Sequence, residues 1–255
     1  MNRSAVSFFT ALLSVGIAGS AHAQGATASA GLPVAATLVA KYASTMGGPA
    51  LLKAQSVTTR GSMVMSGMNA TFEMVQLAPN KMKLITTLPG VGTIQVGFDG
   101  VTAWSIDPMQ GPRVLSGKEL VELQEQGDPR SAMRSPELFS AVQTVADTTM
   151  GGERCYLVKL NWKSGRETFD CFSPSSGLIV GSRAVQQTAM GAVPVVTLLS
   201  EYKKFGDVMF ATKTVQQLMG QEQVINITAV EFNAGQAVTI VPPPEIQALK
   251  KPSGT

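Results

Sequence analysis

From Val57 to Phe232 the apolar side chains recur mostly at every second residue, broken by turn residues at short intervals. That period belongs to strands with one face buried, and a chain built this way has to form sheet. Gly61, Met63 and Met65 alternate with Arg60, Ser62 and Val64, and a Ser66-Gly67-Met68-Asn69 turn follows. Phe72 and Met74 then alternate with Thr71 and Glu73, Met82 and Leu84 with Lys81 and Lys83, and Ile94, Val96 and Phe98 with Thr93, Gln95 and Gly97. Asp99-Gly100 is a strong hairpin signal and leads to Trp104 and Ile106. Consecutive short strands of this kind predict an antiparallel meander with one apolar face.

Two stretches follow a different period. Pro33 opens a helix in which Val34, Leu38, Tyr42 and Met46 share one face, and Gly47-Gly48 closes it. In the middle, Ser116-Gly117-Lys118-Glu119 fits a capping box, with Ser116 as N-cap and Glu119 reaching back. Leu120, Val121 and Leu123 supply the stripe, and Gly127 stops it. Ser135-Pro136 predicts a further helix carrying Leu138, Phe139 and Val142. Strands resume near Thr144, with members at 154–162, 166–172, 178–187, 194–204, 208–218 and 223–232. The run Val238-Thr239-Ile240-Val241-Pro242-Pro243-Pro244 closes the fold and cannot continue as a central strand. The expectation is about eleven strands with two helical interruptions in one domain.

The start of the chain has a positive end at Arg3, an apolar run from Ala5 to Ile17 and a small-x-small site at Ala21-His22-Ala23. These features predict a cleaved secretory signal over residues 1–23. Its apolar run is too short to span a bilayer, and no later stretch reaches the roughly 20 apolar residues that a membrane helix needs. The residue after the cut is Gln24, not a cysteine that could take a lipid. Residues 24–31 read as a flexible leader, 32–246 as the domain and 247–255 as a flexible tail. His22 is the single histidine, so the exported chain has none. Ser-His-Asp hydrolysis, Cys-His nucleophiles and histidine metal sites are excluded together. Without Arg3 the 20 basic residues become 19 against 17 acidic ones, a balance that gives no reason to expect nucleic acid.

Cys155 and Cys171 fall on adjacent predicted strands around a Lys163-Ser164-Gly165 turn, within disulfide reach of one another. Export to an oxidising compartment favours the bonded form over two reduced buried thiols, and no C-x-x-C spacing suggests a redox or metal role. The carboxylates are scattered. Asp99 reads as a turn residue, Glu119 as a cap, and Asp107 and Glu201 lack an obvious partner. Arg60 and Glu73 read as a surface cross-strand pair. Gly90-Val91-Gly92 lacks the strand-to-helix context of a phosphate loop and reads as a hairpin connection.

Of the 13 methionines, 12 follow the signal, and several lie on the meander. Methionine fills irregular core space and also suits adaptable binding surfaces. Met63, Met65, Phe72, Met74, Met82, Leu84, Ile94, Val96 and Trp104 share the predicted apolar face. The helical residues Leu120, Leu123, Leu138 and Phe139 are candidates to cover it. They either pack tightly and complete a core or form a lid over an apolar cavity, and periodicity does not separate the two.

The order helix, meander, helices, meander resembles the periplasmic lipoprotein carrier LolA and the outer membrane lipoprotein-sorting proteins. The matching residues are Pro79-Asn80 with Met82 and Leu84, Asp99-Gly100-Val101-Thr102-Ala103-Trp104 with Asp107-Pro108, and Val238-Thr239-Ile240-Val241-Pro242-Pro243. Gly47-Gly48, Gly111-Pro112-Arg113 and Ser164-Gly165 resemble the sorting-protein group more than the carrier. The resemblance spans most of 32–246 and implies a mainly β fold with α, an unclosed antiparallel barrel under a helical lid. It also implies that Met82 and Leu84 point into the cavity. The carriers place an arginine, which helps hold the lid closed, just before Pro-Asn. Here Ala78 stands there, and a latch of that type is missing.

The expected function is therefore a non-enzymatic periplasmic carrier that shelters lipoprotein acyl chains or another lipid. It is expected to need no cofactor or metal, to bind no nucleic acid, to make no stable membrane insertion and to be monomeric. An envelope protein would act as donor or acceptor. The rival expectation is an envelope structural or sensing module with a filled core and a protein partner.

Overall fold

The computed structural model describes residues 31–65, 67–188, 191–233 and 239–249. The signal, most of the leader, Val238, and the tail beyond Leu249 lie outside the described residues. The chain runs α1 (Ala35–Thr45), α2 (Gly48–Lys53), β1 (Ser56–Met65), β2 (Met68–Leu77), β3 (Lys81–Leu88), β4 (Gly92–Phe98), β5 (Ala103–Asp107) and β6 (Gly111–Leu115). Then come α3 (Gly117–Gly127), α4 (Pro129–Ala132), a 3-10 turn (Pro136–Leu138), β7 (Phe139–Met150), β8 (Glu153–Trp162) and β9 (Glu167–Phe172). The rest is β10 (Ile179–Thr188), β11 (Gly191–Phe205), β12 (Val208–Leu218), β13 (Gln221–Phe232) and α5 (Pro244–Leu249). All strands join one 13-stranded sheet in the order β6-β5-β4-β3-β2-β1-β13-β12-β11-β10-β9-β8-β7. Every described pairing is antiparallel, and β6 does not pair with β7, so the barrel is unclosed.

Helices α1, α2 and α3 line the inner face, whereas α5 packs on the outer one. Ala35, Val39, Tyr42 and Met46 of the α1 region pack on Val158, Leu160, Trp162, Phe172 and Ile179. The stripe is thus one residue out from the predicted one at its start, and Val34 is exposed. Gly47 (φ 81°) ends α1 where a Cβ would stand 2.0 Å from the Asp207 carbonyl oxygen. Leu51 of α2 and Met133, just after α4, cover Val57, Val208 and Val230. Leu123 of α3 covers Met82, Phe98, Ala103 and Leu115, with Leu120 against the same cluster.

Several expectations need correction. The sheet has 13 strands, not about eleven. Phe139 and Val142 lie on strand β7, because the proline at 136 opens only a single 3-10 turn. Two register shifts in β7, at Phe139/Ala141 and Thr144/Ala146, break its alternation and let it imitate a helical spacing. The capping box does not form. Gly117 takes φ 56°, Ser116 makes no side-chain cap, and Glu119 accepts from Arg113 instead. Residues 247–249 continue α5 rather than a tail, and its Ile246 is wholly buried.

The Cys155–Cys171 disulfide joins neighbouring strands with Cα atoms 5.4 Å apart. It lies among Met150, Leu157, Val180 and Leu198, on the face opposite α1. Arg60 bonds Glu73 at 2.7 Å as expected, and also Glu231 at 2.8 Å on the other neighbouring strand.

Candidate binding cavity under the α3 lid

Helix α3 is short, yet it touches β3 and β4 on one half of the sheet and β10 on the other. It therefore bridges the open barrel. Its carboxylates recur every third residue, and each is tied to a different strand or turn. Glu119 accepts from Arg113 of β6 at 2.9 Å. Glu122 accepts the backbone N–H of Gln187 in β10 at 3.0 Å. Glu125 pairs with Arg166 at 2.5 Å and accepts from the Ser164 hydroxyl in the β8–β9 turn. The helix end is fixed as well, since Gln76 donates to the Gln126 carbonyl at 2.7 Å. A Cβ at Gly127 would meet the Asn80 carbonyl oxygen at 2.1 Å. Arg113 and Arg166 are thus the two arginines that ion-pair with α3 among the described residues.

Beneath α3 lies a cavity of about 510 Å³. One wall is apolar, from Met63, Phe72, Met74, Leu84, Ile225 and Ile227. The other carries Thr168, Asp170, Ser182, Thr197 and Gln216, with Arg134 and Arg166 and the apolar Ala184 and Val195, while Thr59 stands beside Met74 on the first wall. Arg134 reaches Asp170 at 2.5 Å, and the Asp170 side chain is fully buried. Both guanidinium groups sit over the Trp162 ring, at 5.5 Å for Arg134 and 4.6 Å for Arg166. Burial lowers the Arg134 pKa, but the charge and hydrogen bond of Asp170, together with Tyr42 and Tyr202, more than offset it and the net shift is upward. Tyr42, buried nearby and donating to the Ala132 carbonyl at 3.1 Å, is pushed up to about 12 by desolvation. Asp170 Oδ1, Thr59 Oγ1 and Arg166 Nε are buried with no partner. Buried polar atoms without partners are costly, and three of them gather along this one cavity.

Two further spaces meet the central one at Glu122. One of about 530 Å³ lies between α3, the β8–β9 turn and β10. The other, about 340 Å³, lies between α3 and β3 to β6. Burial pushes the Glu122 carboxyl up; the Gln187 N–H and Arg166 pull it down by less, while Glu125 and Glu119 push it further up.

Most of the predicted face is therefore at a cavity, with differences. Met63, Phe72, Met74 and Leu84 line the central space, and Met82, Leu84 and Val96 the smaller one. Ile94 packs with Met63 and Leu88 near its edge. The Met65 side chain lies outside the described residues. Trp104 faces the other way: in β5 it is Ala103 and Ser105 that share the face of Phe98 and Val96. The Trp104 indole covers Gly97 and is buried under Ile240 and Ile246. Leu120 and Leu123 lie on α3 against Met82 and Phe98, whereas Leu138 and Phe139 pack with α1. Arg134, Asp170, Thr59 and the Glu119, Glu122, Glu125 series were not anticipated, although the three-residue carboxylate spacing on α3 is visible in the sequence. Among the described residues no group of three His, Cys, Asp or Glu could hold a metal ion.

An unclosed antiparallel sheet, wrapped around a cavity and bridged by a short helix, defines the LolA-like fold. A LolA superfamily protein from Nitrosomonas europaea superposes with a TM-score of 0.51 at 12% identity, over 78% of this chain and 94% of that one. An outer membrane lipoprotein-sorting protein domain from Vibrio parahaemolyticus gives 0.51 at 9% identity, over 80% and 95%. A DUF1329 family protein from Desulfovibrio piger gives 0.53 at 11% identity, over 81% and 96%. No family model and no curated protein matches the sequence. Among the described residues no helix is long and apolar enough to cross a membrane.

Proposed function

We propose that this protein is a non-enzymatic periplasmic carrier that holds an amphiphile, the acyl chains of a lipoprotein or another lipid, in the cavity under α3. The carrying observation is the two-sided wall: Met63, Phe72, Met74 and Leu84 face a polar side with unpartnered Asp170 Oδ1. A cavity of about 510 Å³ falls within the range of ligand pockets. Each methylene buried against the apolar wall contributes about 0.8 kcal/mol, so an acyl chain supplies most of the affinity. The polar wall then fixes which end enters first. An envelope protein serves as donor or acceptor, and the half-barrel of 32–246 acts as a single unit. The signal at 1–23 delivers the protein to the periplasm.

Native mass spectrometry of protein purified from the periplasm, followed by lipid extraction, tests this. Acyl lipids should co-purify with the wild type and be lost from Leu84→Asp, a half-buried position on the cavity wall. A clean apo mass together with no uptake of a fluorescent fatty acid would overturn the proposal.

A further inference from the structure

Strand alternation places the β1–β2, β3–β4, β5–β6 and β12–β13 turns at the same end of the sheet. Register makes them neighbours. Met65 pairs with both Met68 and Gln223, so the β1–β2 and β12–β13 turns adjoin. A Cβ at Gly92 would stand 2.9 Å from Pro108, so the β3–β4 and β5–β6 turns touch. Each of the four presents one exposed apolar side chain: Met68 (43%), Val91 (45%), Met109 (87%) and Met219 (59%).

Turn chemistry does not ask for these residues. Tight turns favour Gly, Asn, Asp, Ser and Pro, and a methionine at a tip buries nothing in the fold. Met219 even adopts φ 52°, a region that a long side chain rarely occupies. None of the four turns contains a charged residue, and Asp107 beside them is folded back to accept from the Met109 N–H at 2.7 Å. The opposite end differs. Its turns carry Asp99 and Asp207, although Val101 is exposed there too. The β8–β9 turn lies at the methionine end and carries the exposed Lys163, and its Ser164 and Gly165 line, with Lys118, Arg166 and Glu167, the 530 Å³ space that meets the cavity at Glu122.

We propose that this end docks on an electrically neutral lipid surface. The methionine and valine turns enter the interfacial layer, and the 530 Å³ space faces the bilayer. Four separate protruding tips make no flat core of the kind a protein interface buries, but each can sink independently into disordered lipid. Methionine adapts to such surroundings. With Lys163 the one exposed cation among the described turns of this end, the contact rests on apolar insertion and not on the attraction that polybasic membrane contacts use.

Flotation of the purified protein with phosphatidylcholine vesicles tests the proposal, with and without added anionic lipid and at low and high salt. The wild type should float with both vesicle types, independently of salt. Met109→Asp with Met219→Asp should lower the bound fraction tenfold or more, while Val101→Asp at the other end should not change it. Uptake of a fluorescent fatty acid from solution should survive in both variants, since neither touches the cavity. Flotation unchanged in the double variant would overturn the docking proposal. So would a wild type that floats with neither vesicle, including one that instead binds a protein through these turns. Intact flotation with no fatty-acid uptake would overturn the carrier reading alone.

Discussion

Arg134 Nε lies 2.5 Å from Asp170 Oδ2, joining the turn after α4 to the inner face of β9 with the carboxylate side chain fully buried. Arg134 adopts φ 54° there, and it also donates to the Ser131 carbonyl at 2.6 Å. The pair sits on the polar wall of the cavity and ties a lid-side segment to the sheet. Removing only the anion leaves a guanidinium without its counter-charge in a desolvated place. Asp170→Ala should therefore destabilise the protein by about 3–5 kcal/mol. Replacing both partners, Arg134→Met with Asp170→Leu, should cost far less than the sum of the single changes, because a buried pair contributes little net stability over apolar residues of similar size. Urea unfolding of the three variants measures this. A double variant at least as unstable as Asp170→Ala would show that the pair stabilises in its own right.

The disulfide sits away from the cavity, so its contribution should separate from ligand binding. It closes a loop with a sequence separation of 16. Chain-entropy reasoning puts the loss on opening such a loop at about 3 kcal/mol. Cys155→Ala with Cys171→Ala should lower the urea midpoint accordingly and leave fatty-acid uptake unchanged once the variant is folded. Loss of uptake in folded protein would mean that the outer face controls the cavity.

How much of this was legible in the sequence depended on how local each signal is. Strand β12 was bounded correctly at Val208–Leu218, and Arg60 with Glu73 was paired correctly, because alternation and hairpin turns act between neighbours. The cysteine pair followed from the same turn arithmetic. Strand β7 was missed at its start because two bulges mix its faces, so that Leu138, Phe139 and Val142 fit a helical period. Trp104 was put on the wrong face because, at period two, an error of one residue inverts a strand. The charged wall was out of reach altogether. Arg134 and Asp170 are 36 residues apart and meet only when the turn after α4 is brought to β9.

Gly97 shows how the outer face constrains the inner one. An added Cβ would lie 2.3 Å from the Trp104 ring, which is itself fully buried under Ile240 and Ile246. The indole has no free space into which to move. Gly97→Ala should cost about 2 kcal/mol or more, in the range of overpacked cores. It should also shift the tryptophan emission to the red as the C-terminal segment lifts. Unchanged emission and stability would mean that α5 is not held by this contact.

Glu122 makes the stability of the fold depend on pH. It lines all three spaces, and burial raises its pKa above the usual glutamate value. The folded protein thus holds this proton more tightly than the unfolded chain does. Ionisation costs stability, and the cost grows as pH rises through the window between the unfolded and folded values. It is absent below the unfolded value of about 4.3 and complete above the folded one. Glu122→Gln removes the charge and keeps an oxygen to accept the Gln187 N–H. The variant should melt at a higher temperature than the wild type at pH 7, and the difference should shrink to nothing as pH falls below about 4. Thermal melts across that range, with fatty-acid uptake followed in parallel, measure both halves of the effect. Uptake by the variant should match the wild type in acid, where both side chains are neutral. A variant less stable than the wild type at neutral pH would mean that the ionised Glu122–Gln187 contact fastens the lid rather than loosening it.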